Sequence, residues 1–207
     1  ATAVMTFVEA VADKTLRSTV ALTAGRGRGK SAALGLAMSG AVAYGYSNIF
    51  VTSPSPENLG TLFRFLFQGF DALGYREHAD YEAVQSTNPD FKDVVVRVDI
   101  FRDHRQTIHY VRPEDVSRLS AQAELVVVDE AAAIPLPLVR GMLGNHLVFL
   151  SSTVQGYEGS GRSLSLKLLE KLRRENMADS RVLREVELET PIRYAEGDPI
   201  EAWLNRL

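Results

Sequence analysis

The apolar run Thr19-Val20-Ala21-Leu22-Thr23 leads straight into Ala24-Gly25-Arg26-Gly27-Arg28-Gly29-Lys30-Ser31. A strand that feeds a glycine-rich turn, ends in Gly-Lys-Ser and opens a helix points to an α/β sheet with a phosphate-binding loop. The residue types follow from the chemistry. Glycines let backbone N–H groups converge on an anion with no Cβ in the way, and the helix adds its positive N-terminal end. Ala24, Gly25, Arg26, Gly27, Arg28, Gly29, Lys30, Ser31 and Ala32 would form the cradle. Lys30 is expected to reach the outer phosphates of a nucleotide, and the Ser31 hydroxyl to bind Mg2+. The strict pattern has glycine where Ala24 stands, but alanine is small and Gly25 and Gly27 supply the backbone freedom.

A second chemical feature lies a hundred residues on. Glu124-Leu125-Val126-Val127-Val128-Asp129-Glu130 is a short apolar, β-branched strand closed by adjacent carboxylates. Unbroken apolar runs mark strands buried on both faces of a parallel sheet. Carboxylates at the C-terminal end of such a strand sit where open α/β sheets bind ligands. Asp129 is therefore expected to hold Mg2+, usually through water, and Glu130 to orient and deprotonate an attacking water. A simple helix cap at Asp129-Glu130 is the bland alternative, and the phosphate loop upstream weighs against it.

The chain has 207 residues, 45% of them hydrophobic, enough to bury a core as one domain spanning 1–207. The net charge of −3 does not advertise nucleic-acid binding through bulk electrostatics, so such a partner would need a local patch or other domains. Absent cysteine removes disulfides and thiolate metal sites. No apolar stretch reaches membrane-spanning length and no secretory signal is present. A start in mid-helix pattern and a stop soon after Trp203 read as an excerpt of a longer, multidomain protein.

Strand and helix patterns alternate along the chain. Helices are expected over 3–14, 30–44, 57–73, a short stretch after Pro137, 163–174 and 199–207. Strands are expected over 49–52, 93–101, 106–111, 146–151 and 182–188, besides the two above, with 93–101 and 106–111 pairing as a hairpin. The aromatic stripe of 57–73 reads as core, and the polar run 173–180 as a flexible loop. Gly-Lys-Ser followed later by an acidic strand end predicts a RecA-like P-loop NTPase domain, mostly parallel, with helices on both faces. Such folds insert a strand between those two, with a polar sensor at its tip. Residues 147–153 fit it, with Ser152, Thr153 and Gln155 facing the outer phosphate. The glycine-rich 156–162 offers a further anion or backbone contact.

Four strings are highly specific: Ala24 to Leu36, Tyr46 to Leu59, Val127 to Val139, and Ser151 to Ser163. They resemble the helicase-type ATPase module of the RNA cytidine acetyltransferases, the eukaryotic nucleolar members more than the bacterial tRNA enzyme. The likeness runs from about Thr15 to Leu207, although the stretch between Lys171 and Val182 is short for that family. It implies ATP and Mg2+ in this module, with hydrolysis supporting cytidine acetylation in small-subunit rRNA and tRNA and ribosome biogenesis. Acetyl-CoA would be used in another domain, since no acetyl-CoA motif occurs here. Implied partners are RNA, the other domains of the same polypeptide, and ribosome-assembly and adaptor proteins. No membrane is implied, the location is the nucleus and nucleolus, and a homodimer stays open. By the same resemblance Arg193, in Thr190 to Pro199, contacts ATP as an arginine finger supplied in cis.

His78, His104, His109 and His146 lack metal-ligand spacing. The arginines between 97 and 118 are interspersed with Asp99, Asp103, Glu114 and Asp115, the pattern of a salt-bridged surface more than of an RNA contact. Ser53 and Ser55 occupy a place where helicase-type folds touch a nucleic-acid backbone, though a Ser-Pro-Ser-Pro turn needs no ligand to form. Two rival functions are a catalytically weak nucleotide-binding scaffold for protein or RNA partners and a small-molecule kinase. The intact acidic pair argues against the first, and the lack of a recognisable lid against the second.

Overall fold

The computed structural model describes residues 2–13, 17–91, 93–154, 160–179 and 182–188. Among these, eight strands form one sheet: β1 (Ser18–Ala24), β2 (Asn48–Thr52), β3 (Tyr81–Gln85), β4 (Val95–Ile100), β5 (Gln106–Tyr110), β6 (Leu125–Val128), β7 (Leu147–Thr153) and β8 (Val182–Leu188). Their order is β3-β4-β5-β2-β6-β7-β1-β8. From β5 to β8 every neighbouring pair is parallel. The β5 edge carries an antiparallel flap, with β4 against β5 and β3 against β4. The expected hairpin of β4 and β5 is there.

Six helices among the described residues cover the sheet: α1 (Thr2–Ala12), α2 (Lys30–Ala43), α3 (Gly60–Ala72), α4 (Pro113–Leu119), α5 (Leu136–Gly141) and α6 (Ser160–Asp179). Alternation within the buried strands sorts the core into two layers. Leu125 and Val127 of β6 and Phe149 of β7 face α1, α2 and α3, meeting Phe7, Leu34 and Leu62. Val126, Val128 and Val148 face the other way, toward Val116 of α4, Val139 of α5 and Leu168 of α6. All four residues of β6 are buried, which is why its sequence shows no polar alternation. The aromatic stripe of α3 is core: Phe70 stands 4.9 Å from the Tyr81 ring and 5.0 Å from that of Tyr75.

Three departures from the sequence reading have physical reasons. Strand β3 is not expected from the sequence, because only Tyr81 of its five residues is buried and it lies at the sheet edge. Helix α4 is not expected either, although Pro113 opens it and Glu114 and Asp115 follow in its first turn. The supposed loop 173–180 is helix as far as Asp179. Arg173 and Arg174 are exposed on this helix, and Arg173 donates to both carboxylate oxygens of Glu185 on β8 at 2.6 Å. The helix expected at 199–207 lies outside the described residues.

The arginine-rich region behaves as a paired surface. Arg97 meets Asp99 at 3.1 Å, and Arg112 and Arg118 share Asp115 at 2.8 and 3.6 Å. Arg102 lies over the Tyr75 ring, 4.5 Å from its centroid.

Candidate nucleotide site

Strand β1 ends at Ala24, which is buried and still paired with Thr153, so no glycine conformation is required there. The turn that follows is made by Gly27 (φ 77°) and Gly29 (φ 83°), both left-handed. Gly29 is also the N-cap of α2, and no side chain caps that helix. Its leading amides are thus left without a side-chain acceptor, which suits an anion. Arg26 is exposed on the loop, Arg28 and Ala32 are half-buried, and Gly25 has the Arg28 side chain beside it.

Lys30 opens α2 and is only 6% exposed, an unusual place for an ammonium group. Its Nζ donates to the Gly25 carbonyl at 3.4 Å and lies 3.9 Å from Glu130 Oε1. Burial pushes its pKa below the ordinary lysine value; the nearby carboxylates of Glu130 and Asp129 oppose that, and Arg26 adds to it. An ammonium so poorly hydrated gains strongly from an incoming phosphate.

Asp129 continues β6 and is 1% exposed. The Ser31 hydroxyl donates to its Oδ2 at 2.7 Å, tying the first turn of α2 to the end of β6. Ser151 donates to Oδ1, as does the Glu130 amide at 3.1 Å. Burial raises the Asp129 carboxyl above its usual range, against the pull of the Ser151 and Ser31 hydroxyls.

Glu130 has φ 53°, a left-handed backbone that glutamate seldom adopts. It precedes the 3-10 turn Ala131–Ala133 but makes no side-chain cap to it. Its carboxylate instead accepts from the Thr153 hydroxyl, 2.8 Å from each oxygen. The helix-cap reading of the acidic pair therefore fails for Glu130.

Strand β7 lies between β6 and β1, in the place expected of a sensor strand. Thr153 at its tip reaches the site. Ser152 points to the opposite face, where its hydroxyl meets Ser165 of α6 at 2.8 Å. Ser151 is the residue sequence reasoning missed. Val128 pairs with Leu150, so the next step sets Asp129 beside Ser151, and strand parity was the available signal. Gln155, Tyr157 and Arg193 lie outside the described residues. Ser53 is buried and spends its hydroxyl on the Ser55 carbonyl at 2.6 Å, closing a turn.

Lys30, Ser31, Asp129 and Glu130 thus converge from two parallel strand ends, with Thr153 and Ser151 bracing the carboxylates. One aspartate and one hydroxyl suit Mg2+, which keeps much of its water and needs few protein ligands. Among the described residues no cluster of three or more His, Asp or Glu gathers to cage a metal, and no helix is long and apolar enough to cross a membrane.

Solved structures with this fold include the large terminase of a thermophilic bacteriophage. Its complex with ATP-gamma-S superposes with a TM-score of 0.60 at 12% identity, covering 99% of this chain and 48% of that one. Its ADP complex gives 0.53 at 14% identity over 90% and 44%. At such identities the likeness establishes the P-loop NTPase fold and nothing finer. Sequence similarity is far closer to the RNA cytidine acetyltransferases of Saccharomyces cerevisiae (59% identical, 99% of this chain) and Homo sapiens (60%, 100% of this chain). That of Dictyostelium discoideum is 63% identical over all of this chain. The chain spans 22%, 22% and 21% of the length of these relatives. Residues 21–207 match the model of the family described as RNA cytidine acetyltransferase NAT10/TcmA, helicase domain, and the chain belongs to that family.

Proposed function

We propose that this chain is an ATP-hydrolysing, helicase-like module of an RNA cytidine acetyltransferase. The observation that carries the reading is the 2.7 Å contact of Ser31 with Asp129, beside Lys30 and Glu130. A phosphate-loop hydroxyl, a buried aspartate, a dehydrated lysine and a strand-end glutamate are the groups that nucleotide hydrolysis needs, and they meet at one point. Lys30 and the amides of Gly25 to Ala32 would hold the phosphates, and Ser31 and Asp129 would hold Mg2+. Mg2+ bound there would help neutralise the phosphate charge. Glu130 orients and deprotonates the attacking water. Gln155 and Arg193 belong to the same site in this reading, Arg193 as a finger on the outer phosphate.

Membership of the family supports a wider role, which is part of the same proposal. ATP turnover here would support acetylation of cytidines in small-subunit rRNA and tRNA, with acetyl-CoA bound in another part of the polypeptide. Ribosome assembly in the nucleolus and adaptor proteins as partners belong to the same proposal.

Steady-state ATP turnover with and without RNA tests the reading. RNA-stimulated hydrolysis supports it. Binding without turnover would make the chain a nucleotide-binding scaffold, and RNA-indifferent phosphoryl transfer to a metabolite a kinase.

A further inference from the structure

The base of the proposed reaction is held by a hydroxyl that is itself tethered to a helix on the far face of the sheet. Glu130 has a flexible side chain on a strained backbone, φ 53°, and Lys30 Nζ waits 3.9 Å away. Left to itself, a carboxylate so placed would close on the ammonium and compete with phosphate for it. Thr153 opposes closer approach by donating one hydroxyl between both carboxylate oxygens, at 2.8 Å to each, while the ion pair stands at 3.9 Å. The outer lone pairs of both oxygens stay open to accept a proton from water.

Thr153 is fixed in turn. Its ladder partner on one side is Ala24, the first residue of the phosphate loop, and the Val154 amide donates to the Ala24 carbonyl at 2.9 Å. From the other face Ser165 of α6 donates its hydroxyl to the Thr153 carbonyl at 2.7 Å and contacts the Ser152 hydroxyl at 2.8 Å. Ser165 is fully buried, on the helix face that carries Leu168 and Leu172 into the core. That core also contains Ala131, directly after Glu130. The Ser165 contact ends on the residue that grips the base, and α6 also packs beside the turn that follows it.

We propose that Thr153 is a positioning residue for Glu130, and that Ser165, acting through Thr153, couples the seat of α6 to that carboxylate. A ligand or neighbouring domain that presses on α6 would thereby adjust hydrolysis without touching the nucleotide. The inference rests on Glu130 being the base, and its test separates the two ideas.

Thr153→Val, Thr153→Ser, Ser165→Ala, the double variant Thr153→Val/Ser165→Ala and the control Glu130→Gln are compared by ATP turnover and by ATP affinity. Misplacing a catalytic group by a fraction of its bond reach costs about 10- to 100-fold. Thr153→Val should lose turnover in that range while ATP affinity holds, and Thr153→Ser should recover it. Ser165→Ala should lose less, and the double variant should be no slower than Thr153→Val alone, because the two residues act in series. Parental turnover in Thr153→Val, or a double variant whose loss is the product of the single losses, overturns the proposal. The carboxyl carbon-13 resonance of Glu130 in the nucleotide-free protein is the second readout. It should move in both Thr153→Val and Ser165→Ala, and an unmoved resonance overturns the coupling even in a protein without ATP turnover. A missing parental turnover with a moved resonance upholds the coupling and rejects the ATPase reading instead.

Discussion

A Cβ on Gly35 of α2 would lie 2.3 Å from the Leu62 carbonyl oxygen and 2.9 Å from the Leu66 amide nitrogen of α3. Two helix backbones touch there, under the helix that the phosphate loop opens. In a free helix Gly→Ala gains about 1 kcal/mol. Here overpacking, typically about 1–3 kcal/mol, works against it, and backbone atoms cannot turn aside as a side chain can. Gly35→Ala should therefore lower the melting temperature, by about 2–4 °C for each kcal/mol lost. A melting temperature at or above the parental value would mean that the helices separate freely.

Gly69 makes the reciprocal approach, with its added Cβ 2.1 Å from Ser39 Oγ and 2.6 Å from Ser39 Cβ. Gly69→Ala should destabilise alone and recover substantially when combined with Ser39→Gly, which removes both colliding atoms. Equal and additive losses in chemical denaturation would refute the contact.

Lys30→Ala removes the ammonium that the site keeps dry. ATP affinity should fall by about 2–4 kcal/mol, roughly two orders of magnitude in Kd. The nucleotide-free fold should survive, because burial already disfavours the charge. Calorimetry that finds unchanged affinity would remove the phosphate-loop assignment.

The acidic pair separates binding from chemistry. Glu130→Gln should bind ATP yet hydrolyse it on the order of 10²-fold more slowly. Asp129→Asn should lose the Mg2+ dependence of binding while stabilising the nucleotide-free, metal-free protein. The sign follows from the raised carboxyl: a folded-state pKa above the ordinary 3.8 means that the buried charge costs stability at neutral pH. That cost is absent below the unfolded value and grows as pH rises through the folded one. The melting-temperature advantage of Asp129→Asn should therefore open as pH climbs out of the carboxylate range. A constant difference across pH would show that Asp129 titrates normally.

Arg193→Ala should reduce turnover by about 10³-fold if the guanidinium acts as a finger, with less loss of ADP than of ATP affinity. Arg193→Lys should rescue poorly, since an ammonium lacks the planar fork. Parental turnover in Arg193→Ala would dismiss the role.

What the sequence reveals divides along one physical line. Gly29-Lys30-Ser31 and Asp129-Glu130 are legible because each motif is local and its residue types follow from the chemistry. The place of β7 between β6 and β1 is legible through fold class. The facing of Ser151 toward Asp129 is not, because it depends on the register between two strands. Edge strand β3 hides for a similar reason: the Phe67 ring that stacks on Tyr81, at 5.6 Å, lies in another element. The run 173–180 reads as loop because a polar stretch looks alike in coil and in helix. The structure carries α6 through to Asp179, with Arg173 paired to Glu185 on β8.

The left-handed backbone at Glu130 carries a cost of its own. A side chain with a Cβ in that region costs about 1 kcal/mol or more over glycine. Exchanging Glu130 for glycine or asparagine would relieve that backbone cost, although Thr153 and Lys30 would lose the carboxylate they face. Loss of the proposed chemistry would then relieve the backbone, and a glutamate at φ 53° stands there at a cost to the fold.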